Sequence, residues 1–543
     1  MKVIVKQDKV DLKNPIQSIL EGRGLTELWL TAGEEDLHDG RLLKNYDKAK
    51  RMLMHHIINK SEVGLLVDSD TDGFTSAAIM YQWLKDKEPG MNIYPIIPEG
   101  KVHGIINELI PDNIDLLIIP DASSSEIEKH KELQSKGIDI LILDHHEVKQ
   151  AENPYAVIVN PHLEGCPYPN KGLSGGGVVL KFIEALDKED GIDDYKEYFD
   201  LAAVSIVADV MDLASLENKA IVNIGLNNIQ NDYLKAYLKT DGRLRDIKKV
   251  TPITVGFYMA PPINALIRIG EVDNKHDLFS ALVGEIEPRT VTADILKIKG
   301  KQDRAKEPIV NKIAFELAKS GLDKNKIILG QIPDYAHKSI TGLIAGQMAN
   351  MYNKPTLLGR PDNKGNWFGS ARSLNNSNVE NLKDFCEESG LFNWVAGHQA
   401  AFGWSIPVEN IEKFRAYAEE KLPKVEKIYY ATFGHKIDED LVAAIPKLNE
   451  LNEHAGPGFE EVLIYTRIDF IPSSANLIGK KANVLTLTDH KTGLEFIKFR
   501  FNDEIPERAM TMKIVGKPNI NEWQGVKKPQ IIIEDYEFVE LEL

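Results

Sequence analysis

The sequence predicts an α/β protein: a doubly wound parallel sheet, a second and smaller α/β domain joined to it by a long helix, and a C-terminal β-barrel. Three observations carry that expectation. Between Glu62 and about Ala214 apolar runs alternate with helical stretches, and three of those runs stop abruptly at Asp or His. From Lys324 a second strand, helix, strand succession begins. After Val425 a helical run gives way to short alternating segments separated by turn signals.

Composition sets the limits. The 543 residues are enough for about three or four domains, because single cores stop growing at about 250–300 residues. Apolar residues make up 43% and charged residues 27%, a balance that places the chain among soluble globular proteins. No apolar run approaches the ~18 residues of a membrane span, and MKVIVKQDKVDLK lacks the small-residue cleavage site of a secretory signal, so a cytoplasmic protein with no membrane partner is expected. Cys166 and Cys386 form neither a disulfide framework nor a C-x-x-C motif and read as buried small apolar residues. A net charge of −17 argues against non-specific coating of nucleic acid. It leaves room for a nucleic-acid enzyme whose basic groups are gathered in one groove.

Residues 1–60 are expected to be a helical segment packed on the first domain, with an amphipathic run from Lys44 to Ile58. His55 and His56 in that run face different directions on a helix and read as structural. In the domain assigned to 61–285, Leu65–Val67 ends at Asp68, with Asp70 and Asp72 following at alternate positions; Gly73 breaks the strand, and Thr75 and Ser76 open a helix. Leu116–Pro120 ends at Asp121, and Ile140–Leu143 ends at Asp144, His145 and His146. Ligands in open parallel sheets bind beyond the carboxyl ends of the strands, so these ends describe one site. A fourth element, LAAVSIVADVMDLA, brings Asp209 and Asp212. Gly175, Gly176 and Gly177 ahead of an apolar helix read either as a close approach to another chain or a phosphate, or as a tight packing turn.

Further on, RLRDIKK is locally basic, and Asn264 and Arg268 lie four apart, on one helical face. The linker assigned to 286–322 carries Lys297, Lys299, Lys301, Arg304 and Lys306, which read on pattern alone as a solvated helix. In the α/β domain assigned to 323–425, Ser370 and Arg372 stand among glycines, as does His398; this set reads equally as a phosphate or terminal-nucleotide site and as a packing device. Within 426–543, the segments VLIYTRIDF, KANVLTLTD, GLEFIKFRF, MTMKIVGKP and PQIIIEDYEFVEL predict an OB-like barrel, a fold that binds single strands or a partner protein.

Asp70, Asp72, Asp121, His145 and Asp209, with Asp68 and His146 beside them, form a carboxylate-rich set. Buried carboxylates in one crevice require a positive partner. Structural zinc sites want thiolates, and none is here, whereas oxygen ligands with one or two imidazoles suit Mn²⁺ or Mg²⁺. The carboxylates suffice for two ions, which at a separation of about 3.5–4 Å clamp a phosphate and generate hydroxide for in-line attack.

VDSDTDGFTS, PDASSS, LDHHEV and VADVMDL stand in the order of the four motifs of the DHH phosphoesterase superfamily, which the chain resembles. More narrowly it is similar to the RecJ type of single-strand-specific 5′-to-3′ exonuclease, through VNPHLEGCPYPNKGLSGGGVVLKF, APPINALIR, HKSITGLIA, FGSARSL, AGHQAAFG and NEWQGVKKPQIIIEDYE. The resemblance implies Asp70, Asp72, Asp121, His145 and Asp209 as metal ligands, with Asp72 and Asp121 as bridges. It implies Asp68 as a support for the first metal or for water, and His146 as the contact to the scissile phosphate. Asn264, Arg268, Ser370, Arg372 and His398 would bind substrate, and single-stranded DNA would pass between the two α/β domains, touching the charged linker helix. RNA is a second candidate substrate, a repair or replication protein a candidate partner for the barrel, and a monomer the expected state.

The chain departs from the family pattern at Val67, Ala122, Ser123, Pro262, Ile267, Ala396 and Phe402, all outside the ligand set, so substrate grip is more open than chemistry. Two rivals remain at this stage. Hydrolysis of a small phosphate ester such as an oligoribonucleotide, cyclic dinucleotide or polyphosphate needs neither barrel nor charged linker, and a non-catalytic replication scaffold has no reason to keep five costly ligands.

Overall fold

The structure, a computed structural model, describes residues 2–541 apart from 101, 149–152, 375–376, 425–427, 480–482, 502 and 524. The chain divides into two compact units. One comprises Ile16–Lys299 with Glu450–Glu461; the other comprises Met1–Pro15, Gly300–Asn449 and Val462–Leu543.

Five strands, all parallel, organise the first unit in the spatial order Ile93–Ile96, Val63–Leu66, Leu116–Pro120, Asp139–Leu143, Val157–Val159. Their near-continuous Val, Ile and Leu content follows from burial on both faces. Leu116 and Ile118 join a large core that includes Phe74, Trp83, Phe182 and Phe199. Leu117 and Ile119, pointing the other way, join a smaller one with Ile140 and Ile142. The strand order reverses at Val63–Leu66, whose neighbours are Ile93–Ile96 on one side and Leu116–Pro120 on the other. That reversal opens a crevice at the carboxyl ends of the strands.

The turn out of the Val63–Leu66 strand differs from the sequence expectation. Helix Thr71–Lys87 begins before Thr75 and Ser76, because the Asp70 carboxylate caps it by accepting from the Gly73 N–H at 3.1 Å. Gly73 therefore sits in the first helical turn, and a Cβ there would meet the Asp68 carbonyl oxygen at 2.6 Å. His56 is buried, with Nε2 3.1 Å from an Asp139 carboxylate oxygen. Cys386 is buried as expected, whereas Cys166 is only partly so.

In the second unit a five-stranded sheet runs in the order Trp394–His398, Ala401–Pro407, Asn366–Arg372, Thr356–Pro361, Ile328–Gln331, with only the last pair parallel. An eight-stranded sheet contains the five expected C-terminal segments together with Lys2–Gln7, Ile428–Gly434 and Asn476–Ile478. Residues 2–7 thus correct the expectation of an all-helical N-terminal segment on the first domain. KVIVKQ alternates in exposure, and it pairs in parallel with Ile428–Gly434. The expected boundary at 425/426 lies outside the described residues. The charged linker run lies within helix Pro288–Ser320.

A second correction concerns Glu450–Glu461, which leaves the expected barrel segment 426–543 for the first unit. Leu213 N donates to Pro457 O at 2.8 Å, and the rings of Trp29 and Phe459 lie 4.2 Å apart. Gly458, at φ +75°, packs so closely on Asp212 that a Cβ would lie 1.7 Å from its carboxylate. At the centre of this docking, buried Lys219 sits 2.9 Å from His454 Nδ1 and 4.4 Å from the Trp29 ring centroid.

Burial, reinforced by the Lys249 ammonium, pushes Lys219 down to about 7 from 10.5. Between those values the unfolded chain holds a proton that the folded one does not, so stability climbs as pH rises. The thermal midpoint is expected to increase from pH 7 to 9.5, and Lys219→Met to flatten that rise. An unchanged slope in the variant would count against the assignment.

Candidate metal centre at the strand ends

Four elements deliver side chains to the crevice. Asp68 and Asp70 follow the first strand, Asp121 the next and Asp144–His146 the third, while Asp209 caps the C-terminus of helix Phe199–Ala208. Three backbone positions there lie in the left-handed region, Asp121 at φ +63°, Ser123 at φ +77° and Val210 at φ +61°. An aspartate tolerates it, but a β-branched valine is strained there.

The side chains gather in overlapping groups. In one, Asp72, His145 and Asp209 bring ligand atoms within 4.8 Å of one another; in a second, Asp121 does so with Asp144, His145 and His146; in a third, Asp68 with Asp70 and His103. His145 Nε2 lies 3.1 Å from Asp121 Oδ1, 3.4 Å from Asp209 Oδ2 and 3.8 Å from Asp72 Oδ2. Both His145 Nε2 and Asp121 Oδ1 are buried without a hydrogen-bond partner. Burial and the neighbouring carboxylates push Asp121 well above the usual carboxylate range. The same causes push Asp209 to about 8, and burial, with Asp68 and Asp72, raises Asp70. Burial lowers His145. Strained protonation equilibria around two orphaned, facing donor atoms are what a divalent cation relieves, and this oxygen and imidazole set fits Mn²⁺ or Mg²⁺.

Two of the three glycines, Gly175 and Gly176, have a definite task. Helix Gly175–Asp190 points its N-terminus at Asp72, whose carboxylate accepts from Gly175 N at 2.8 Å and Gly176 N at 3.0 Å. It also accepts from the hydroxyls of Ser76 and Ser205. A Cβ on Gly175 would meet Asp121 Cβ at 2.5 Å, and one on Gly176 would meet Ser205 Oγ at 2.5 Å. The close approach is therefore to the aspartates, with the positive helix end facing their charge.

Sequence reasoning passed over Asp144 and His103, as it did Ser205 on Asp72. Asp144, fully buried, accepts from His145 N at 2.7 Å, His146 N at 3.1 Å, His146 Nδ1 at 2.8 Å and Ser124 N at 3.1 Å. Those bonds hold Asp144 below the usual range, and Asp144 in turn raises His146 to about 9. His103 Nδ1 lies 2.5 Å from Asp68 Oδ2, with Gly104 N donating to the other oxygen. Asp144 was visible as the first residue of the Asp-His-His triplet; His103 had no local signal.

Among the expected substrate residues, Asn264 accepts from Thr71 N at 3.0 Å, between Asp70 and Asp72. Arg268 is close enough to Asp70 for the carboxylate to offset part of its burial. Ser370, Arg372 and His398 lie in the other unit. Ala401 pairs with both Arg372 and His398, and Gly403 with Ser370, so the register puts all three on one face of that sheet.

The DHH family, N-terminal domain, matches residues 62–206, and the RecJ OB domain matches residues 435–535. The fold and its site thus define a DHH-domain protein with an OB domain. YorK, from the SPbeta prophage of Bacillus subtilis and named for single-strand DNA-specific exonuclease activity, is 30% identical across 97% of this chain and 96% of its own length. RecJ of the same organism is 26% identical over 96% of this chain and 67% of its own. The crystal structure of RecJ in complex with Mn²⁺ from Thermus thermophilus superposes with a TM-score of 0.80 at 20% identity, covering 99% of this chain and 80% of that one. The chain belongs to the RecJ-like family of single-strand-DNA-specific exonucleases.

Gly175→Ala tests the helix approach. It is expected to lower Mn²⁺ affinity by about 10–100-fold in titration calorimetry, the usual effect of disturbing the groups that orient metal ligands, while far-UV circular dichroism stays unchanged. Unaltered affinity would refute the role given to the glycines.

Proposed function

We propose that the protein is a Mn²⁺- or Mg²⁺-dependent exonuclease that removes nucleotides from the 5′ end of single-stranded DNA, acting in repair, recombination or replication. The observation that carries the reading is the convergence of Asp72, Asp121 and Asp209 on His145 Nε2, with two facing ligand atoms left unpartnered. Membership of the family supports the substrate class, and the Mn²⁺ in the Thermus thermophilus RecJ supports the cofactor.

Asp70, Asp72, Asp121, His145 and Asp209 would hold two ions. When bound, such ions polarise a phosphodiester and lower the pKa of a coordinated water. The protein's own groups do the rest. The helix N-terminus at Gly175 and Gly176 fixes Asp72, and Ser205 fixes it from the opposite element. His103 holds Asp68 in place beside Asp70. Asp144 keeps His146 protonated and oriented through Nδ1, leaving a half-exposed imidazolium to bind a non-bridging phosphate oxygen as negative charge develops there. Arg268 supplies a second cation in the same unit. The shared face of Ser370, Arg372 and His398 would take the 5′ phosphate.

Asp121→Asn and His145→Ala are each expected to cut hydrolysis of a single strand by more than about a hundredfold, with an unchanged melting profile. Strands labelled at the 5′ end should release labelled mononucleotide at once, and 3′-labelled strands only at the end of digestion. Near-normal activity in either variant, or early release of the 3′ label, would overturn the proposal.

A further inference from the structure

Beside the metal centre, in the same compact unit, lies a cavity of about 490 Å³ lined mainly by apolar side chains, among them Val207, Val210, Phe257, Pro261 and Pro457. Its size is that of a small-molecule site. It abuts the centre from two sides. Ala208 and Val210, which flank Asp209, form part of its wall, and so does Asn264, whose Oδ1 is fixed by Thr71 between Asp70 and Asp72. The Asn264 amide nitrogen has no partner among the described residues.

Two local features present apolar surface here. Val210 is a β-branched residue at φ +61°, yet 68% exposed. Val255–Met259 is a π-helical turn, an irregularity that recurs at functional sites, and it holds Phe257 72% exposed. Glu460 and Glu461 form another part of the lining. The mainly apolar walls suit an uncharged, flat, hydrogen-bonding group as the occupant.

We propose that this cavity receives an unpaired nucleobase of the strand being degraded, stacked on Phe257 and against Val210, with the Asn264 amide donating to its edge. The inference rests on the exonuclease reading for its substrate. A base held there fixes the strand beside Asp209, and a base still paired to a complementary strand cannot enter it, so the cavity would also contribute to the preference for single strands. Stacking on one aromatic ring is sequence-tolerant, because every base has a π face.

The test uses full-length protein carrying Asp121→Asn, to suppress turnover, with Mn²⁺ and 5′-phosphorylated single strands bearing 2-aminopurine at each of the first few positions in turn. One position is expected to be quenched about threefold or more on binding. The quench should vanish when Phe257→Ala is added, persist with Phe257→Tyr, and persist with Phe315→Ala, an exposed residue of the other unit. In the protein with Asp121 intact, an abasic residue at that position should lower kcat/KM about tenfold, and Phe257→Ala should remove the difference between abasic and normal strands. Absence of quenching at every position, or quenching that survives Phe257→Ala, would overturn the inference. Quenching that depends on Phe257, in a protein that hydrolyses no strand with Asp121 intact, would support it and sink the exonuclease reading instead.

Discussion

Packing at least four carboxylates around one buried imidazole is the constraint on which the first unit depends. Left alone, Asp72 and Asp121 would repel each other and lose hydration, and burial raises Asp121 far above its usual range for that reason. The fold answers with oriented dipoles as well as with a place for cations. The N-terminus of helix Gly175–Asp190 is driven against the aspartates, and only residues without a Cβ can make the approach. Gly175, Gly176 and the hydroxyls of Ser76 and Ser205 all answer that one electrostatic problem.

The parallel sheet makes the concentration of charge possible. Its order reverses between Val63–Leu66 and Leu116–Pro120, so Asp68–Asp72 and Asp121 leave adjacent strand ends over a crevice that no crossover helix fills. Asp144 then acts between strand and site. It draws three N–H groups of its own turn together and favours the protonated form of His146, so the third strand contributes one histidine facing the carboxylates and one half-exposed. Two adjacent histidines acquire opposite protonation tendencies because one is buried without a partner and the other is held by a buried carboxylate.

Much of this was legible beforehand. The three strand ends, the carboxylate and histidine residues that converge there, and the α/β and barrel architecture follow from apolar runs that stop at ionisable residues and from the change of period near the C-terminus. The reading of Gly175–Gly177 stayed open because a glycine run announces only that something comes close, not what. His103 and Ser205 were silent, since each reaches the site across a long sequence separation. Two segments also sat in the wrong place: KVIVKQ adds a strand to the C-terminal sheet, and Glu450–Glu461 crosses back to pack on Trp29.

The sequence by itself determined which residues could carry the chemistry, because ionisable groups placed straight after buried strands have few other uses and local period distinguishes strand from helix. Only the tertiary structure decided how those groups share protons and space. The approach of Gly175 to Asp121, the bond from Asp144 to His146, and the cavity beneath Phe257 are distances between elements remote in the chain. They are set by how strands order and helices pack, and no local pattern encodes them. The aspartates at 68, 70 and 72 illustrate the division: evenly spaced in sequence, they separate in space, Asp68 to His103, Asp70 to the helix cap and Asp72 to the glycine turn.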